Sequence, residues 1–190
     1  MIIIHKICCF IGHREIENEI EIERILRILI EDLIVNNGVD TFLFGSRSDF
    51  NYLCLSIVTE LKKKYPHIKR VGYSCRSECY YLESEREKWE KYYSEKQNKE
   101  VHLYCVDEEY DHKTKYTAGK ASYVERNKAM IDDSDLCVVY YKEDYLPEKR
   151  KYSKRHLTYY QPKSGTRLAF EYIKQRRKDY VNVAEIISKW

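Results

Sequence analysis

Four short segments of the sequence combine small residues with charged or hydrogen-bonding ones, a mixture typical of sites that hold anions. They are Gly12-His13-Arg14, Gly45-Ser46-Arg47-Ser48-Asp49, Glu125-Arg126-Asn127 and Ser164-Gly165-Thr166. Glycine lets the backbone approach a bound group, serine and threonine offer hydroxyls, and arginine offers a charged fork of donors. Three of the segments precede a predicted helix, whose first backbone N–H groups carry partial positive charge. The pattern therefore predicts a phosphate-binding site.

Each segment also has a purely structural interpretation. Gly45 and Ser46 suit a turn before a helix, and Asp49 suits the helix cap. His13 alone is more often a structural histidine, and Arg126 alone is more often an ordinary charge on a helix surface. Their joint occurrence at one predicted edge of a sheet favours a binding site. There the carboxylate of Asp49, which only accepts hydrogen bonds, suits ribose hydroxyls.

Strand and helix patterns alternate along the chain. Apolar runs predict strands at residues 2–11, 41–44, 68–73, 101–106, 136–141 and 180–183. Helices are predicted at 17–35, 51–65, 83–97, 120–132, 165–177 and 184–190, with polar loops at 107–119 and 142–163. This alternation predicts parallel strands joined by right-handed crossovers, and hence an α/β fold with a three-layer α/β/α sandwich. Ligands of such sheets bind beyond the carboxyl ends of the strands, near the point where the strand order reverses.

Length and charge narrow the possible classes of protein. The 190 residues suit one domain, 1–190, with a single core. A net charge of +3 does not by itself indicate a nucleic-acid binder. The predicted exposed arm at 142–163 nevertheless contains the basic stretch KRKYSKRH at 149–156, which suits phosphate contacts and stacking on bases. The alternatives for the arm are a solvated loop, a lid over a bound nucleotide, or a contact with a dimer mate.

Cysteine usage indicates a reducing compartment, and hydropathy indicates a protein without membrane spans. The chain has seven cysteines, an odd number, and most stand inside apolar runs as small hydrophobic residues. Cys75 and Cys79 have no matching second pair, so we predict no zinc site, no other metal and no cofactor. No segment approaches the roughly 18 apolar residues of a membrane span, and we expect a cytoplasmic protein without membrane contact.

Four motifs, in order, resemble a known group of proteins: CCFIGHRE, FLFGSRSDFNYLC, YVERNKAMIDDSDLCVVYY and SGTRLAFEYIKQ. They are similar to the SLOG superfamily of Rossmann-like proteins, in its YpsA-like branch, over nearly the whole chain. The resemblance implies a Rossmann-like, mostly parallel sheet with a nucleotide-type pocket at its carboxyl edge, and a homodimer or larger homo-oligomer. The superfamily includes Lonely Guy phosphoribohydrolases, the DNA-processing protein DprA and antiphage sensors of NAD-derived cyclic nucleotides. A role in defence, in a bacterium or a phage, is therefore one implication.

The comparison with the phosphoribohydrolases concerns catalysis. Their Glu-Arg pair, followed by methionine, is matched by Glu125, Arg126 and Met130. Their PGGxGTxxE motif is replaced here by PKSGTRLAFE, so that Ala169 stands where the catalytic glutamate is expected. Glu171 lies two residues further on and should point away from the pocket, because two residues turn a helix by about 200°.

These observations leave three functional hypotheses. The favoured one is a protein that binds a nucleotide or ADP-ribose-like ligand, cyclic or not, as a sensor or a sequestering protein. Tyr123, or a tyrosine within 107–116, would stack on the base. The second is a nucleotide N-glycosidase or phosphoribohydrolase in which Asp49 or Glu125 replaces the missing catalytic carboxylate. The third is nucleic-acid binding through the basic arm.

Overall fold

The structure, a computed structural model, describes residues 5–45, 48–75, 106–112, 119–145 and 163–187. Its strands are β1 (Lys6–Gly12), β2 (Val39–Phe44), β3 (Lys69–Cys75), β4 (Glu108–His112), β5 (Leu136–Tyr140) and β6 (Asp179–Asn182). Its helices are α1 (Glu19–Val35), α2 (Asp49–Lys64), α3 (Gly119–Asp132), α4 (Gly165–Gln175) and α5 (Val183–Ile187).

The strands form one sheet in the order β4-β3-β2-β1-β5-β6. All five pairings between neighbouring strands are parallel. From β1 the chain builds outward to β4 and then returns to the other side of β1 with β5. The strand order therefore reverses between β1 and β5, where such sheets form a crevice at their carboxyl edge. This arrangement confirms the predicted Rossmann-like α/β fold.

Helices cover both faces of the sheet and divide the core into two layers. One layer packs α1, α2 and the start of α5 against the sheet, through residues such as Ile22 and Leu26 of α1 and Phe10 of β1. The other layer packs α3 and α4 against the opposite face, with Met130 and Phe170 at its centre. Because β1 is covered on both sides, its buried part is apolar on both faces and shows no alternation.

One strand lies where the sequence predicted a loop. The segment Glu108–His112 is the edge strand β4, although we expected a loop at 107–119. The strand predicted at 101–106 falls almost entirely outside the described residues. An edge strand pairs on one side only and tolerates polar residues. A search for apolar runs in the sequence therefore does not find it. Asp107 fixes its position, since its N–H donates to the Arg70 carbonyl and its carboxylate accepts from the Arg70 N–H, both at 2.8 Å.

Other predictions can be compared with the described residues directly. Within these ranges, five cysteines are buried and form no disulfide bond, as expected of small core residues: Cys8, Cys9, Cys54, Cys75 and Cys137. The same ranges contain no cluster of metal-binding side chains and no helix long and apolar enough to cross a membrane. The predicted helix at 83–97, the basic stretch at 149–156, Cys79 and Cys105 lie outside the described residues.

Candidate functional site

The predicted site segments meet at the carboxyl edge of the sheet. Gly12 ends β1 and Gly45 directly follows β2, and the carboxyl ends of parallel strands share one edge. The Thr166 hydroxyl donates to the Gly12 carbonyl over 2.8 Å, which brings the amino end of α4 to the end of β1. The Asp49 N–H donates to the Arg14 carbonyl, also over 2.8 Å, and joins the start of α2 to the same turn.

Two of the site glycines are required by packing within the protein. A Cβ on Gly12 would lie 2.3 Å from the Phe50 ring, so this glycine lets α2 approach β1. A Cβ on Gly45 would lie 2.3 Å from the Met130 sulfur and 3.0 Å from the Arg126 Nε, so α3 approaches the end of β2 in the same way. Their presence is thus explained without a ligand.

Gly165 differs from the other two glycines. Among the described residues, no atom lies within 4 Å of where its Cβ would be. Ser164 caps α4 by accepting from the Arg167 N–H at 3.0 Å, and this bond leaves the Gly165 and Thr166 N–H groups at the tip of the helix. The first N–H groups of a helix favour an anion.

Arg126 is a buried cation on α3. Its side chain is 1% exposed, and its Nη2 donates to the Asn127 Oδ1 over 3.1 Å. The guanidinium also lies 5.4 Å from the centre of the Tyr123 ring, a cation–π distance. As an arginine, this residue contributes a positive charge beside Gly45. The interpretation of Arg126 as an ordinary surface charge is excluded.

His13 is the second buried polar residue of the edge, at 1% exposure. Its backbone N–H donates to the Tyr140 carbonyl at 3.2 Å, so it extends the pairing of β1 with β5 by one residue. Burial lowers the pKa of His13 to about 4, a nearby Lys142 charge acts in the same direction, and the Lys142 carbonyl and Asp144 oppose them. The imidazole is therefore neutral at pH 7.

The residues that follow β5 belong to this edge, which the sequence did not indicate. The Lys142 N–H donates to the His13 Nε2 at 3.0 Å, and the Tyr145 ring stacks on His13 with centroids 3.9 Å apart. The Lys142 ammonium also pairs with the Glu17 carboxylate at 2.7 Å. The sequence predicts Lys142 and Tyr145 to belong to the exposed arm, and their contacts with His13 correct that prediction. The sequence signal that could have indicated this contact is an aromatic residue, Tyr145, shortly after β5, where the strand order reverses.

His13 and Arg126 lie on the same face of the sheet. On β1, Ile11 packs in the layer of α3 and α4, and side chains alternate along a strand, so His13 faces that layer too. Its ring centre lies 5.7 Å from that of Tyr141, which in turn stacks at 4.5 Å on Phe170 of α4. The edge between α3 and α4 is thus lined by a neutral imidazole, a guanidinium and a helix amino terminus.

The remaining predicted residues have mixed positions. The side chain of Arg14 is exposed, those of Asp49 and Glu125 are half-buried, and Asn127 is buried. Ser46 and Arg47 lie outside the described residues. Ser48, rather than Asp49, caps α2 by accepting from the Asn51 N–H at 3.2 Å.

The region where the family has its catalytic glutamate supplies no carboxylate to the edge, because Ala169 has none and Glu171 points elsewhere. Ala169 is 3% exposed and belongs to the core layer of α3 and α4. Glu171 lies on the surface, where its carboxylate accepts from the Lys163 ammonium at 2.7 Å and from the Arg167 Nε at 3.2 Å. The hydrogen bond from Lys163 lowers the pKa of Glu171, with Arg167 acting in the same direction.

The sheet order and the covering helices define a Rossmann-like α/β protein with hydrogen-bond donors gathered where the strand order reverses. The sequence model described as the YspA SLOG family, YpsA, matches residues 11–176, and the chain belongs to this family. The resemblance predicted from the four motifs is confirmed, and membership indicates a role in binding or processing a nucleotide-related ligand. A search of curated proteins found no match.

Proposed function

We propose that the protein binds a nucleotide or an ADP-ribose-like ligand, cyclic ones included, at the carboxyl edge of its sheet, and that it acts as a sensor or a sequestering protein. The observation that carries this proposal is the buried guanidinium of Arg126 on the sheet face shared with the amino end of α4. A fixed cation and a helix amino terminus both favour phosphate, the group that nucleotides have in common.

The donors at this edge are suited to an anion with several oxygens. Arg126 provides a planar fork of N–H groups, and among the described residues no atom blocks the approach to Gly165 at the tip of α4. The Asn127 Oδ1 accepts from Arg126, which leaves the amide NH₂ of Asn127 as a further donor. Tyr123, whose ring is partly exposed beside Arg126, is suited to stack on a base.

Binding without hydrolysis is favoured by the position of the carboxylates. Cleavage of an N-glycosidic bond needs a carboxylate that stabilises an oxocarbenium-like state or activates water. The family's glutamate position holds Ala169, which is packed in the core, and Glu171 is engaged on the surface. Asp49 and Glu125, which are both half-buried, are the candidate carboxylates of the enzymatic alternative.

The identity of the ligand is tested by mass spectrometry of small molecules released when the purified protein is denatured. In parallel, thermal unfolding is followed with AMP, ADP-ribose, cyclic ADP-ribose, NAD and inorganic pyrophosphate. A ligand at 100 times its Kd adds about 2.7 kcal/mol, or a rise in Tm of roughly 5–10 °C for a chain of this size. If no probe raises the Tm at millimolar concentration and no nucleotide is released, the proposal is wrong.

The matched control for this experiment is an arginine outside the edge. Arg176→Met removes a surface arginine that pairs with Asp132 at 2.8 Å, and it should keep the ligand-induced shift. Arg126→Met should lose it. Chromatography of each nucleotide after incubation tests the enzymatic alternative, because release of a free base that stops in Asp49→Ala or Glu125→Ala would establish hydrolysis instead.

A further inference from the structure

The two ring nitrogens of His13 have different roles. A backbone amide always carries its hydrogen, so the Lys142 N–H at 3.0 Å makes Nε2 of His13 an acceptor. The Lys142 carbonyl lies farther from the same nitrogen, at 3.3 Å. A neutral imidazole with an accepting Nε2 carries its hydrogen on Nδ1. The hydrogen bond from the amide therefore fixes the tautomer and leaves Nδ1–H as a donor.

That donor has no acceptor within the described part of the chain. Nδ1 is buried and lacks a hydrogen-bond partner there. A buried donor without an acceptor costs about 1–3 kcal/mol, and native proteins contain few of them. The stacked ring of Tyr145 and the bond from Lys142 both fix the imidazole, so the ring is held with this donor unpaired.

The unpaired donor lies on the binding face of the edge. His13 shares this face with Arg126 and with α4, whose Thr166 bonds to the carbonyl of the residue before His13. A ligand oxygen is the acceptor that this location would provide. Since Nδ1 is buried, the oxygen can reach it only if side chains around the ring shift, and Tyr145 covers one face of that ring.

We propose that His13 contacts the ligand directly, its Nδ1–H donating to a phosphate or carbonyl oxygen, while its Nε2 holds the segment that follows β5. This inference rests on the proposed function and adds to it. One ring then has two separable roles, ligand affinity at Nδ1 and local stability at Nε2. A ligand group that offers only a donor, such as an amine, would be rejected at this position.

Two substitutions separate these roles, because asparagine and glutamine each keep one end of the ring. His13→Asn places an amide at the δ position and retains a donor there, but it gives up the acceptor for the Lys142 N–H. His13→Gln places its amide at the ε position and retains that acceptor, but it loses the δ donor. Thermal unfolding reports the stability of each variant, and calorimetry with AMP, ADP-ribose and inorganic pyrophosphate reports affinity.

We expect the two variants to rank in opposite orders in ligand affinity and in Tm. His13→Gln should lose about tenfold in affinity for the probe that binds the wild type, and His13→Asn should stay within about threefold. In Tm, His13→Asn should fall below His13→Gln. If His13→Gln binds as well as His13→Asn or better, the ring is only structural and the inference is overturned, while the proposed function stands. If no probe binds the wild type, the proposed function fails and the inference fails with it.

A second measurement on the wild type needs no ligand. Nitrogen-15 NMR of the imidazole at pH 7 distinguishes the two neutral tautomers. We expect hydrogen on Nδ1 and none on Nε2 of His13. Hydrogen on Nε2 would remove the donor on which the inference depends and would overturn it.

Discussion

At the amino edge of the sheet, the polar groups that end α3 are held by partners from neighbouring elements of the same chain. Asp132 accepts from the Tyr172 hydroxyl and the Arg176 Nε, both at 2.8 Å, and its backbone carbonyl accepts from the Lys178 ammonium at 2.9 Å. The Asp135 carboxylate accepts from the Ile7 N–H at 2.9 Å. Polar residues of this edge connect α3, α4 and β1.

At the carboxyl edge, similar residue types are arranged differently. Among the described residues, His13 is buried with one donor nitrogen unpaired, and no atom lies within 4 Å of where a Cβ on Gly165 would be. Arg126 is buried, whereas Arg176 at the other edge is half exposed. One edge uses its polar groups for stability, and we propose that the other presents its polar groups to a ligand. This separation can be tested edge by edge.

The largest expected difference between the edges concerns their arginines. Arg126→Met should weaken binding of the nucleotide probe by about 2–3 kcal/mol, roughly 30- to 150-fold, because a buried charge-assisted contact to phosphate is lost. Arg176→Met should leave affinity unchanged, and the loss of its exposed ion pair should cost at most about 1 kcal/mol of unfolding free energy. Calorimetry and thermal unfolding measure the two quantities, and equal affinity losses in both variants would contradict the separation.

The second prediction concerns two glycines of the carboxyl edge. Gly12→Ala should destabilise the protein by about 1–3 kcal/mol, since its Cβ would overlap the Phe50 ring at 2.3 Å. Gly165→Ala should change stability by less than about 1 kcal/mol, because its position is open among the described residues and its φ is not positive. Gly165→Ala should instead weaken ligand binding, as the new methyl group occupies the space before α4. Chemical denaturation gives the first result and calorimetry the second, and a Gly165→Ala variant with full affinity would argue against a ligand at α4.

The third prediction concerns the stability of the protein at acid pH. The pKa of His13 is about 4 when folded and about 6.5 when unfolded, so the unfolded chain binds the proton more readily. The contribution of His13 to stability is therefore complete above pH 6.5 and is lost as the pH falls to 4, by about 2 kcal/mol. The difference in unfolding free energy between the wild type and His13→Gln, measured from pH 4 to 8, isolates this contribution. A difference that is constant over that range would contradict a neutral, buried ring.

The fold was largely predictable because its signals are local. Apolar runs and helix caps are read from neighbouring residues, and five strands occur close to their predicted ranges. The edge strand β4 was not predicted, since Asp107 and Arg70 fix it through contacts between segments rather than through apolar residues. Whether a polar segment forms an edge strand depends on the neighbouring strand with which it pairs, and the sequence alone does not show that pairing.

The sequence predicted which segments meet at the carboxyl edge, but it did not predict how their side chains are arranged there. Arg126 was ambiguous, although Ser122, Arg126 and Met130 stand four residues apart, and that spacing on one stripe of α3 was a usable signal of burial. The bond between His13 and Lys142 joins residues 129 positions apart and depends on the pairing of β1 with β5. No local pattern encodes such a contact, and so the two roles that we propose for the imidazole could be inferred only from the fold.

The smallest predicted effect concerns Asp107, which lies at the amino edge. Asp107 accepts from the Arg70 N–H at 2.8 Å and from its Nη2 at 3.0 Å, and Lys62 lies 3.2 Å away. Burial alone would raise the pKa of Asp107, but the bonds from Arg70 and Lys62 outweigh it and lower the pKa to about 2. The stability from Asp107 is thus present above about pH 4, the unfolded value, and is lost as the pH falls to 2.

Asp107→Asn keeps the shape of the side chain and removes its charge. It should cost about 1 kcal/mol at pH 7, discounted for partial exposure, abolish the loss between pH 4 and 2, and leave ligand affinity unchanged. The contribution of His13 to stability is lost between pH 6.5 and 4, and that of Asp107 is lost between pH 4 and 2. The two edges should therefore lose stability in separate pH ranges. Overlapping losses, or weaker ligand binding in Asp107→Asn, would mean that the two edges are energetically coupled.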